Sequence, residues 1–514
     1  MLLEHLIQDF ATLQVHGRLQ RQVRALTYHS GQASEESLFV AIKGTQSDGH
    51  EFVHQAIDRG AQTIVVEKPQ EPIAGITVIR VANSRAALAH IANRFYGFPS
   101  HKLTVVGITG TNGKTTTAYL LESILQACGH RVGVIGTVNI RYPGHVQPAP
   151  VTTPESLDLQ QTFKQMVDAG VTHVVMEVSS HGLDMHRVDC TRFAVGLFTN
   201  LSQDHLDYHG SMENYFAAKS RLFSHILQTQ LEPPPLAVIN WDDRWGQQLC
   251  SQVNGPLLRY GLAADAEIRA DKVQCDSSGV KALLHTPEGQ IEVHSAMIGR
   301  LNLYNLLAAT SVAVGLGMPL EAIRNGEQSL VRVPGRLEAV PSDLGFQVLV
   351  DYAHTPDALQ KALDSLRELE FRKIICVFGC GGDRDRSKRP LMGEAAARRA
   401  DLLVITSDNP RSEVPDTIMA DIEAGVRTQG LPLFSSLAQC GDNCRRGYTL
   451  VVDRSEAIRV AIEHAQEGDV VYIGGKGHEN YQILGDKRID FDDRLVAAKA
   501  LEERKKKEVA GSRQ

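Results

Sequence analysis

Long apolar runs and an excess of positive charge are both missing from this sequence. No uninterrupted apolar stretch approaches the ~18 residues that a helix needs to cross a bilayer, so we expect no membrane span. Lysine and arginine number 53 against 60 aspartates and glutamates, a formal net charge of −7. This balance excludes a nucleic-acid-binding protein that relies on a broad basic surface. The N-terminal stretch carries Glu4 and Asp9 where a signal peptide has basic residues, so we expect no export.

Closely paired cysteines are missing as well. The eight cysteines are scattered along the chain, and none forms a C-x-x-C pair. In a chain of this length we interpret them as reduced thiols of a cytoplasmic protein. The spacing of Cys376 and Cys380 permits a metal site, but Cys376 lies in an apolar predicted strand, where a buried thiol is the better interpretation.

The composition is that of a globular protein, without low-complexity segments or short repeats. Hydrophobic residues account for 43% of the chain and charged residues for 22%, which excludes a largely disordered protein. At roughly 150 residues per domain, the 514 residues predict three domains. Pro99 and the segment 333–335 mark the boundaries, since proline and glycine end regular elements. We therefore predict domains at 1–99, 100–333 and 334–514.

Short apolar strands alternate with helical stretches along most of the chain. This pattern predicts an α/β protein whose mostly parallel sheets are covered by helices on both faces. Strands of the two larger domains are predicted at 103–109, 172–178, 193–198, 236–239, 346–350, 373–378, 402–406 and 470–473. In the small N-terminal α/β domain, strands are predicted at 37–42, 63–66 and 76–81, and helices at 53–59 and 85–95.

Polar or glycine-rich segments follow these strands one after another. Ligands of open α/β sheets bind at the carboxyl ends of the strands, so we expect these segments to form the site. The segments are 110–116, 177–181, 200–205, 351–354, 379–386, 407–411 and 474–479.

The segment 107–115 has the pattern of a phosphate-binding loop, because it follows a strand and opens a helix. Its glycines let backbone N–H groups turn toward phosphate oxygens. Lys114 is placed to contact the terminal phosphates, and the Thr115 hydroxyl to hold Mg²⁺. The strict G-x-x-x-x-G-K-[ST] pattern requires glycine where this chain has Ile108, so the loop is a variant. The alternative is a glycine-rich turn with an exposed lysine.

Three further residues are candidates for the same site. Glu177 ends an apolar strand, where a carboxylate ligates Mg²⁺ or positions a water, although a capping or rim carboxylate is the alternative. Residue chemistry alone leaves the roles of His205 and Lys219 open, because Mg²⁺ prefers oxygen ligands.

Taken together and in this order, the motifs resemble those of the Mur ligases, the ATP-dependent amino-acid-adding enzymes of peptidoglycan synthesis. The resemblance covers nearly the whole chain. Its pieces are TGTNGKT at 109–115, EVSSHG at 177–182, TNLSQDH at 199–205, NxxN at 302–305, PGR at 334–336, DYAHTP at 351–356 and GKGHE at 475–479. Within the family, DNPR at 408–411 is similar to the form in members that add diaminopimelate.

The resemblance implies a fold and an activity. The central domain is expected to be P-loop ATPase-like and the C-terminal domain Rossmann-like. The expected enzyme is an ADP-forming ligase that adds meso-2,6-diaminopimelate to UDP-N-acetylmuramoyl-L-alanyl-D-glutamate through an acyl phosphate. This reaction belongs to cytoplasmic peptidoglycan precursor synthesis, and so to cell-wall biogenesis, cell shape and division. The expected partners are small molecules, with no nucleic acid, and the expected state is a monomer.

The resemblance also implies a role for each matching position. ATP is expected at Gly110, Thr111, Asn112, Gly113, Lys114, Thr115, Thr116, Asn302, Arg336 and Asp351. The UDP-linked substrate is expected at Ser30, Thr45, Gln46, Ser47, Thr152, Thr153, Ser179 and Arg187. Diaminopimelate is expected at Arg384, Asp408, Asn409, Pro410, Arg411, Gly475 and Glu479. Magnesium is expected at Thr115, Glu177, His205 and a carbamylated Lys219, and catalysis is expected of Lys114, Glu177, His205 and Lys219.

Two positions depart from the family pattern. His29-Ser30-Gly31 stands in place of D-S-R, and Met185 in place of a glutamine that contacts substrate. Two alternatives stay open: a folylpolyglutamate synthetase-like ligase, and a non-catalytic nucleotide-binding or regulatory protein. The DNPR segment and the separate N-terminal domain oppose the first alternative. The joint presence of Lys114, Glu177, His205 and Lys219 opposes the second.

Overall fold

Three sheets, taken in chain order, form the framework of the protein. The structure is a computed structural model in which residues 1–44, 47–227, 232–439 and 446–511 are described. Within these ranges the sheets have five, eleven and six strands. None of the helices described there is long and apolar enough to cross a membrane. The six cysteines in these ranges are free thiols, and Cys376 is buried in its strand; Cys440 and Cys444 lie outside the described residues.

The N-terminal sheet is parallel except for one edge strand, Gln14–His16. Its strands are, in spatial order, Gln14–His16, Thr77–Arg80, Ala61–Val66, Ser37–Val40 and Ala25–Thr27. Its helices are Leu3–Ile7, Val53–Asp58 and Ser84–Phe95. The Asn83 side chain accepts hydrogen bonds from the first N–H groups of the last helix, which explains where that helix begins. Apolar clusters cover both faces of the sheet.

The central sheet has a parallel middle and antiparallel edges. Its strands are, in spatial order, Gly289–Ser295, Gly279–Thr286, Ile268–Asp276, Leu257–Gly261, Leu236–Asn240, Val195–Phe198, Thr104–Thr109, His173–Glu177, Val132–Ile135, Asn139–Tyr142 and His145–Pro148. The predicted strands all lie in the middle, whereas both edges are antiparallel and were missed. The edge strands expose one face to solvent, so they lack the continuous apolar run by which the predicted strands were found. The parallel strands Leu257–Gly261 and Val132–Ile135 were missed as well.

Helices pack on both faces of the central sheet. They are Lys114–Ala127, Ser156–Asp168, Ser180–Asp184, Leu206–His209, Met212–Arg221, Arg244–Cys250, Arg300–Gly315 and Leu320–Ser329. Arg300–Gly315 is apolar on nearly all sides and is buried along most of its length, as expected for a helix enclosed by other elements. It packs against Lys114–Ala127 in the same apolar cluster, so the helix after the phosphate loop is held in the core.

The C-terminal sheet is parallel except for its first strand pair. Its strands are, in spatial order, Glu338–Val340, Gln347–Asp351, Val470–Gly474, Ile374–Phe378, Leu402–Ile405 and Gly447–Leu450. The hairpin Tyr481–Leu484 and Lys487–Asp490 stands apart from it. Its helices are Pro356–Arg367, Lys388–Arg399, Pro415–Arg427, Arg454–His464 and Asp493–Gly511.

The carboxyl ends of the central and C-terminal strands face one another. Arg336 Nη2 donates to Thr115 Oγ1 at 3.0 Å. Ser202 Oγ donates to Asp357 Oδ2 at 2.5 Å, and Asn112 Nδ2 donates to the same oxygen at 3.2 Å. These contacts bring the polar segments at the ends of both sheets to a common cleft.

Candidate active site

The phosphate loop follows the buried strand Thr104–Thr109 and ends at the helix Lys114–Ala127. Gly110 and Gly113 have φ angles of 144° and 89°, which disfavour other residues. A Cβ on Gly110 would lie 1.9 Å from Thr199 Oγ1. Gly113 provides no side-chain cap to the helix, so the first N–H groups of the helix remain suited to an anion.

Lys114 folds back over this loop. Its Nζ donates to the carbonyl oxygens of Gly110 and Thr111, both at 2.9 Å. Burial lowers the pKa of Lys114, while the charges of Glu177 and Asp204 oppose this effect. The ammonium therefore lies inside the loop that is expected to receive phosphates.

Glu177 is buried among hydroxyl groups. Its Oε1 accepts from Thr115 Oγ1 at 3.0 Å and from the backbone N–H of Thr137 at 3.0 Å. Its Oε2 accepts from Thr137 Oγ1 at 2.9 Å. A Cβ on Gly136 would lie 2.4 Å from Glu177 Oε1, so only glycine lets the carboxylate approach. The carboxylate and hydroxyl oxygens form a donor set of the kind that Mg²⁺ prefers.

Lys219 is a buried lysine without a carboxylate partner among the described residues. It lies on the helix Met212–Arg221 and is 2% exposed. Its Nζ donates to the carbonyl oxygen of Gly110 at 2.9 Å and lies 4.7 Å from the centre of the Tyr215 ring. Burial, together with the charge of Lys114, lowers the pKa of Lys219 well below its usual value. The Lys219 side chain therefore favours the neutral amine.

His205 occupies a left-handed backbone position, with φ 52°. Its Nε2 lies 3.3 Å from Asp204 Oδ2, and the His181 ring stands edge-on to it at 4.9 Å between centroids. Burial lowers the pKa of His205, which favours the neutral imidazole.

Two cavities meet at the cleft between the sheets. The first, of about 440 Å³, is lined by 111–116 and by Thr152, Glu177, Ser179, Asn302, Arg336 and Asp351 among the predicted residues. The second, of about 830 Å³, is lined by Arg384, Asp408, Asn409, Arg411, Gly475 and Glu479. The residues that line both are Asp204, His205, Tyr352, His354 and Thr355. A compound in one cavity can therefore reach a compound in the other.

Some predicted residues line neither of the two cavities, namely Gly110, Thr153, Arg187 and Lys219. Pro410 contributes no wall to the second cavity, although its neighbours do. Ser30 lies in the N-terminal unit, where its hydroxyl donates to Gln55 Oε1 at 2.5 Å, and neither it nor Ser47 lines either of these two cavities. Thr45 and Gln46 lie outside the described residues.

The residues predicted for the dipeptide lie around Glu177. Thr153 Oγ1 donates to the carbonyl oxygen of Glu177 at 3.0 Å, and Arg187 Nη1 donates to the carbonyl oxygen of Thr153 at 3.0 Å. Thr152 Oγ1 lies 3.1 Å from Thr137 Oγ1. Arg187 Nη2 also contacts Met185 Sδ at 3.4 Å, so the departure from glutamine falls beside the predicted substrate residues.

The wall of the second cavity is both basic and acidic. Arg411 Nη1 donates to the carbonyl oxygen of Gly382 at 2.7 Å. Among the described residues no carboxylate forms an ion pair with Arg411, which leaves its charge available to a ligand. Asn409 Nδ2 and Lys476 Nζ both donate to Glu479 Oε2 at 3.0 Å.

Sequence reasoning missed Thr137 and Lys476 as parts of the site. Thr137 follows the strand Val132–Ile135, which was not predicted, so the polar residue after it was not considered. Lys476 lies within the GKGHE motif, but the motif by itself indicates no role for it. Its complete burial beside Glu479 is a tertiary feature.

The fold and this site are those of a Mur ligase. The Mur ligase family catalytic domain matches residues 22–96, the Mur ligase middle domain matches 108–313, and the glutamate ligase domain of Mur ligases matches 335–477. The chain belongs to the Mur ligase family.

Relatives that align over nearly the whole chain indicate which members of the family it resembles. The UDP-N-acetylmuramoyl-L-alanyl-D-glutamate–2,6-diaminopimelate ligase of Geobacter metallireducens is 46% identical and aligns over 98% of this chain and 99% of its own. The ligase of the same name from Geobacillus thermodenitrificans is 45% identical over 98% of this chain and 100% of its own. A solved structure of a ligase of this name has a TM-score of 0.69 and 30% identity, and covers 98% of this chain and 99% of its own.

Proposed function

We propose that this chain is the ATP-dependent ligase that joins meso-2,6-diaminopimelate to UDP-N-acetylmuramoyl-L-alanyl-D-glutamate. The observation that carries the proposal is the meeting of two cavities, one built on a phosphate loop and one containing the unpaired Arg411. The full-length relatives named for this reaction support it. A folylpolyglutamate synthetase-like activity does not account for the similarity to those full-length relatives. A non-catalytic protein has no need of the buried Glu177 and Lys219.

The reaction has two steps. The γ-carboxylate of the D-glutamyl residue attacks the γ-phosphorus of ATP, so that ADP leaves and an acyl phosphate forms. The neutral amine of diaminopimelate then attacks the acyl carbon, phosphate leaves, and the amine loses a proton. Lys114 is placed to neutralise phosphate charge, and the loop N–H groups to orient the phosphates. We expect closure of the C-terminal domain onto the central domain to keep water from the acyl phosphate.

The oxygen donors of Thr115 and Glu177 fit a magnesium ion. Bound there, magnesium would neutralise charge on the phosphates of ATP. His205 and Lys219 fit a second ion only if Lys219 presents oxygen, because an ammonium group has no lone pair to offer. These two residues are assigned to the site on this condition.

Carbamylation of Lys219 would provide that oxygen. The neutral amine adds to the carbon of CO₂ and loses one proton, which gives a carbamate anion. Burial favours the neutral amine that this addition needs. Lys114 and Lys219 both donate to the carbonyl oxygen of Gly110. A carbamate on Lys219 would place a negative charge beside the Lys114 ammonium, and the two charges would attract each other.

Diaminopimelate differs from lysine by a distal carboxylate, which we assign to Arg411 and Arg384. An arginine that is left without its carboxylate can reject the shorter analogue by about 10⁴-fold. Glu479 is assigned to an ammonium group of the amino acid. Domain limits of 1–99, 100–333 and 334–514 complete the proposal, with the nucleotide end of the UDP-linked substrate assigned to the first domain. The cytoplasmic location and the monomeric state stay predictions from the sequence.

Phosphate release from ATP tests the proposal. The UDP-linked dipeptide is supplied, and meso-diaminopimelate or L-lysine is added in parallel. Release only with diaminopimelate is the expected result. Release only with lysine would keep the ligase but contradict the assignment of Arg411. Release with neither would contradict the proposed reaction and favour the non-catalytic alternative.

A further inference from the structure

Two loops of the C-terminal sheet carry the arginines assigned to the distal carboxylate. The glycine loop (residues 379–386) carries Arg384, and the arginine loop (residues 407–413) carries Arg411. Asp383 and Arg411 both have a φ of 52°, a left-handed conformation that residues other than glycine rarely adopt. Such conformations persist only where the surrounding structure imposes them, so other contacts must hold these two loops.

Glu413 makes the main connection between the loops. Its Oε1 accepts from the backbone N–H of Asp383 at 2.6 Å and from Arg389 Nη2 at 2.8 Å. Its Oε2 accepts from Arg389 Nη1 at 3.1 Å and lies 2.9 Å from Arg386 Nη2. The arginine loop thus supplies a carboxylate that binds the backbone of the strained position in the glycine loop.

Further hydrogen bonds join the two loops, with donors from both of them. The backbone N–H and the hydroxyl of Ser412 donate to the Asp383 carboxylate at 3.2 and 2.7 Å. The backbone N–H of Gly382 donates to the carbonyl oxygen of Asn409 at 2.9 Å, and a Cβ on Gly382 would lie 1.9 Å from the carbonyl oxygen of Pro410. The relative placement of the two loops is therefore tightly defined.

Arg389 anchors this connection outside the cavity. The side chain of Arg389 is fully buried, and its Nη1 also donates to Asp421 Oδ2 at 2.9 Å on the helix Pro415–Arg427. Neither Arg389 nor Glu413 lines the second cavity. Hydrogen bonds from Arg389 lower the pKa of Glu413 to about 2, so its charge is constant near neutral pH.

The orientation of Arg411 depends on this connection. Its Nη1 donates to the carbonyl oxygen of Gly382, so a shift of the glycine loop moves the partner that orients the guanidinium. Arg384 lies on the same loop and moves with it. The guanidinium of Arg411 and the loop that carries Arg384 are thus placed through the contacts of Glu413, while the backbone of Arg411 is held by hydrogen bonds with Ile483 and Gly485.

We propose that Glu413 is a positioning residue for recognition of diaminopimelate. Anchored by Arg389, it holds the two loops in register, so that Arg384 and Arg411 converge on the distal carboxylate without Glu413 touching it. This inference rests on the proposed function, since it assumes that diaminopimelate occupies the second cavity.

The substitution Glu413→Gln tests the inference, because it keeps the size of the side chain and removes its charge. We expect the KM for diaminopimelate to rise by about 10- to 100-fold, as for a modest misplacement of binding groups. The KM for ATP should stay within about twofold, since the first cavity does not depend on these loops. The preference for diaminopimelate over lysine should fall.

Glu423→Gln is the matched control. The Glu423 side chain is 10% exposed, like that of Glu413. It bonds to Arg427 and to Tyr448, but not to the two loops. This variant should lower the melting temperature and leave the KM values unchanged.

Three outcomes would overturn the inference. The first is an unchanged KM for diaminopimelate in Glu413→Gln, and the second is an equal rise in the KM of all substrates. The third is a fall in kcat alone that is proportional to the loss of melting temperature and is matched by Glu423→Gln. If Glu413→Gln does not fold, Ser412→Ala removes only the hydroxyl bond to Asp383, and it must give a smaller rise of the same KM. If the wild-type enzyme does not use diaminopimelate, the proposed function fails instead.

Discussion

Among single residues, Lys219 has the environment least suited to its charge. Its amino group is buried, shares the Gly110 carbonyl with Lys114, and has no carboxylate partner in the described part of the chain. A carbamate would put a negative charge at this position, beside the Lys114 ammonium. With ¹³C-labelled bicarbonate we expect a carbamate carbon signal in the NMR spectrum of the wild-type protein and none in Lys219→Met. A signal of equal intensity in the variant would place the carbamate elsewhere.

At the same scale, Arg411 is the residue to which we assign the choice of amino acid. Hydrogen bonds to charged groups contribute about 1.5–3 kcal/mol, so Arg411→Ala should raise the KM for diaminopimelate by about 10- to 100-fold. ATP binding, followed by calorimetry, should survive. Arg459→Ala is the control, because Arg459 pairs with Glu456 and Glu463 on a helix away from both cavities. Loss of ATP binding in Arg411→Ala would contradict its assignment.

At the scale of elements, the helix Leu320–Ser329 carries a buried acid against Arg300–Gly315. Glu327 accepts from Thr310 Oγ1 at 2.7 Å, while its Oε2 has no partner in the described structure. Burial raises the pKa of Glu327 to about 8. In the unfolded chain the Glu327 carboxyl ionises near pH 4.5. Between pH 4.5 and about 8, the folded state therefore keeps a proton on Glu327 that the unfolded state has lost. The contribution of Glu327 to stability is therefore lost as pH rises through this window.

This effect is measurable by urea unfolding as a function of pH. Glu327 should contribute a slope of about −1.4 kcal/mol per pH unit to the free energy of unfolding plotted against pH, between pH 4.5 and 8. Glu327→Gln, which cannot ionise, should lack that contribution and become more stable than the wild type toward pH 8. Equal slopes in the two proteins would show that the acid is ionised in the folded state.

The strands illustrate which elements local sequence can reveal. The segments 173–177 and 374–378 are buried throughout and consist mostly of apolar residues, so their sequences alone predicted them. Ile268–Asp276 is exposed over most of its length, and its residues resemble those of a surface loop. It becomes a strand because its neighbours in the sheet supply the hydrogen bonds, which a single segment does not reveal.

At the scale of the whole molecule, Asp357 joins the C-terminal unit to the phosphate loop through Ser202 and Asn112. Asp357→Ala should loosen this contact and raise the KM for ATP by about three- to tenfold, because polar contacts of this kind contribute about 1 kcal/mol each. The melting temperature should stay nearly unchanged. Asp364→Ala, on the same helix but bonded within its own unit to Arg399, should leave the KM for ATP unchanged. Equal effects of the two variants would show that the contact does not assist nucleotide binding.

The site was predictable wherever its residues are adjacent in the chain. The phosphate loop and the DNPR and GKGHE segments are contiguous motifs, and residues from each of them line the two cavities. Arg389 and Glu413 were not found, because an arginine and a glutamate 24 positions apart have no sequence signal that connects them. Thr137 was missed together with its short strand.

The sequence by itself determined the family, the alternation of buried strands with helices, and the residue types at the ends of the predicted strands, because these follow from contiguous patterns of apolarity and turn residues. The tertiary structure alone decided which of those ends meet. Arg336 reaches Thr115 across 221 positions, and the lysines of two helices converge on one carbonyl. Such contacts depend on how the separate sheets pack together, because packing brings together surfaces that are distant in the chain.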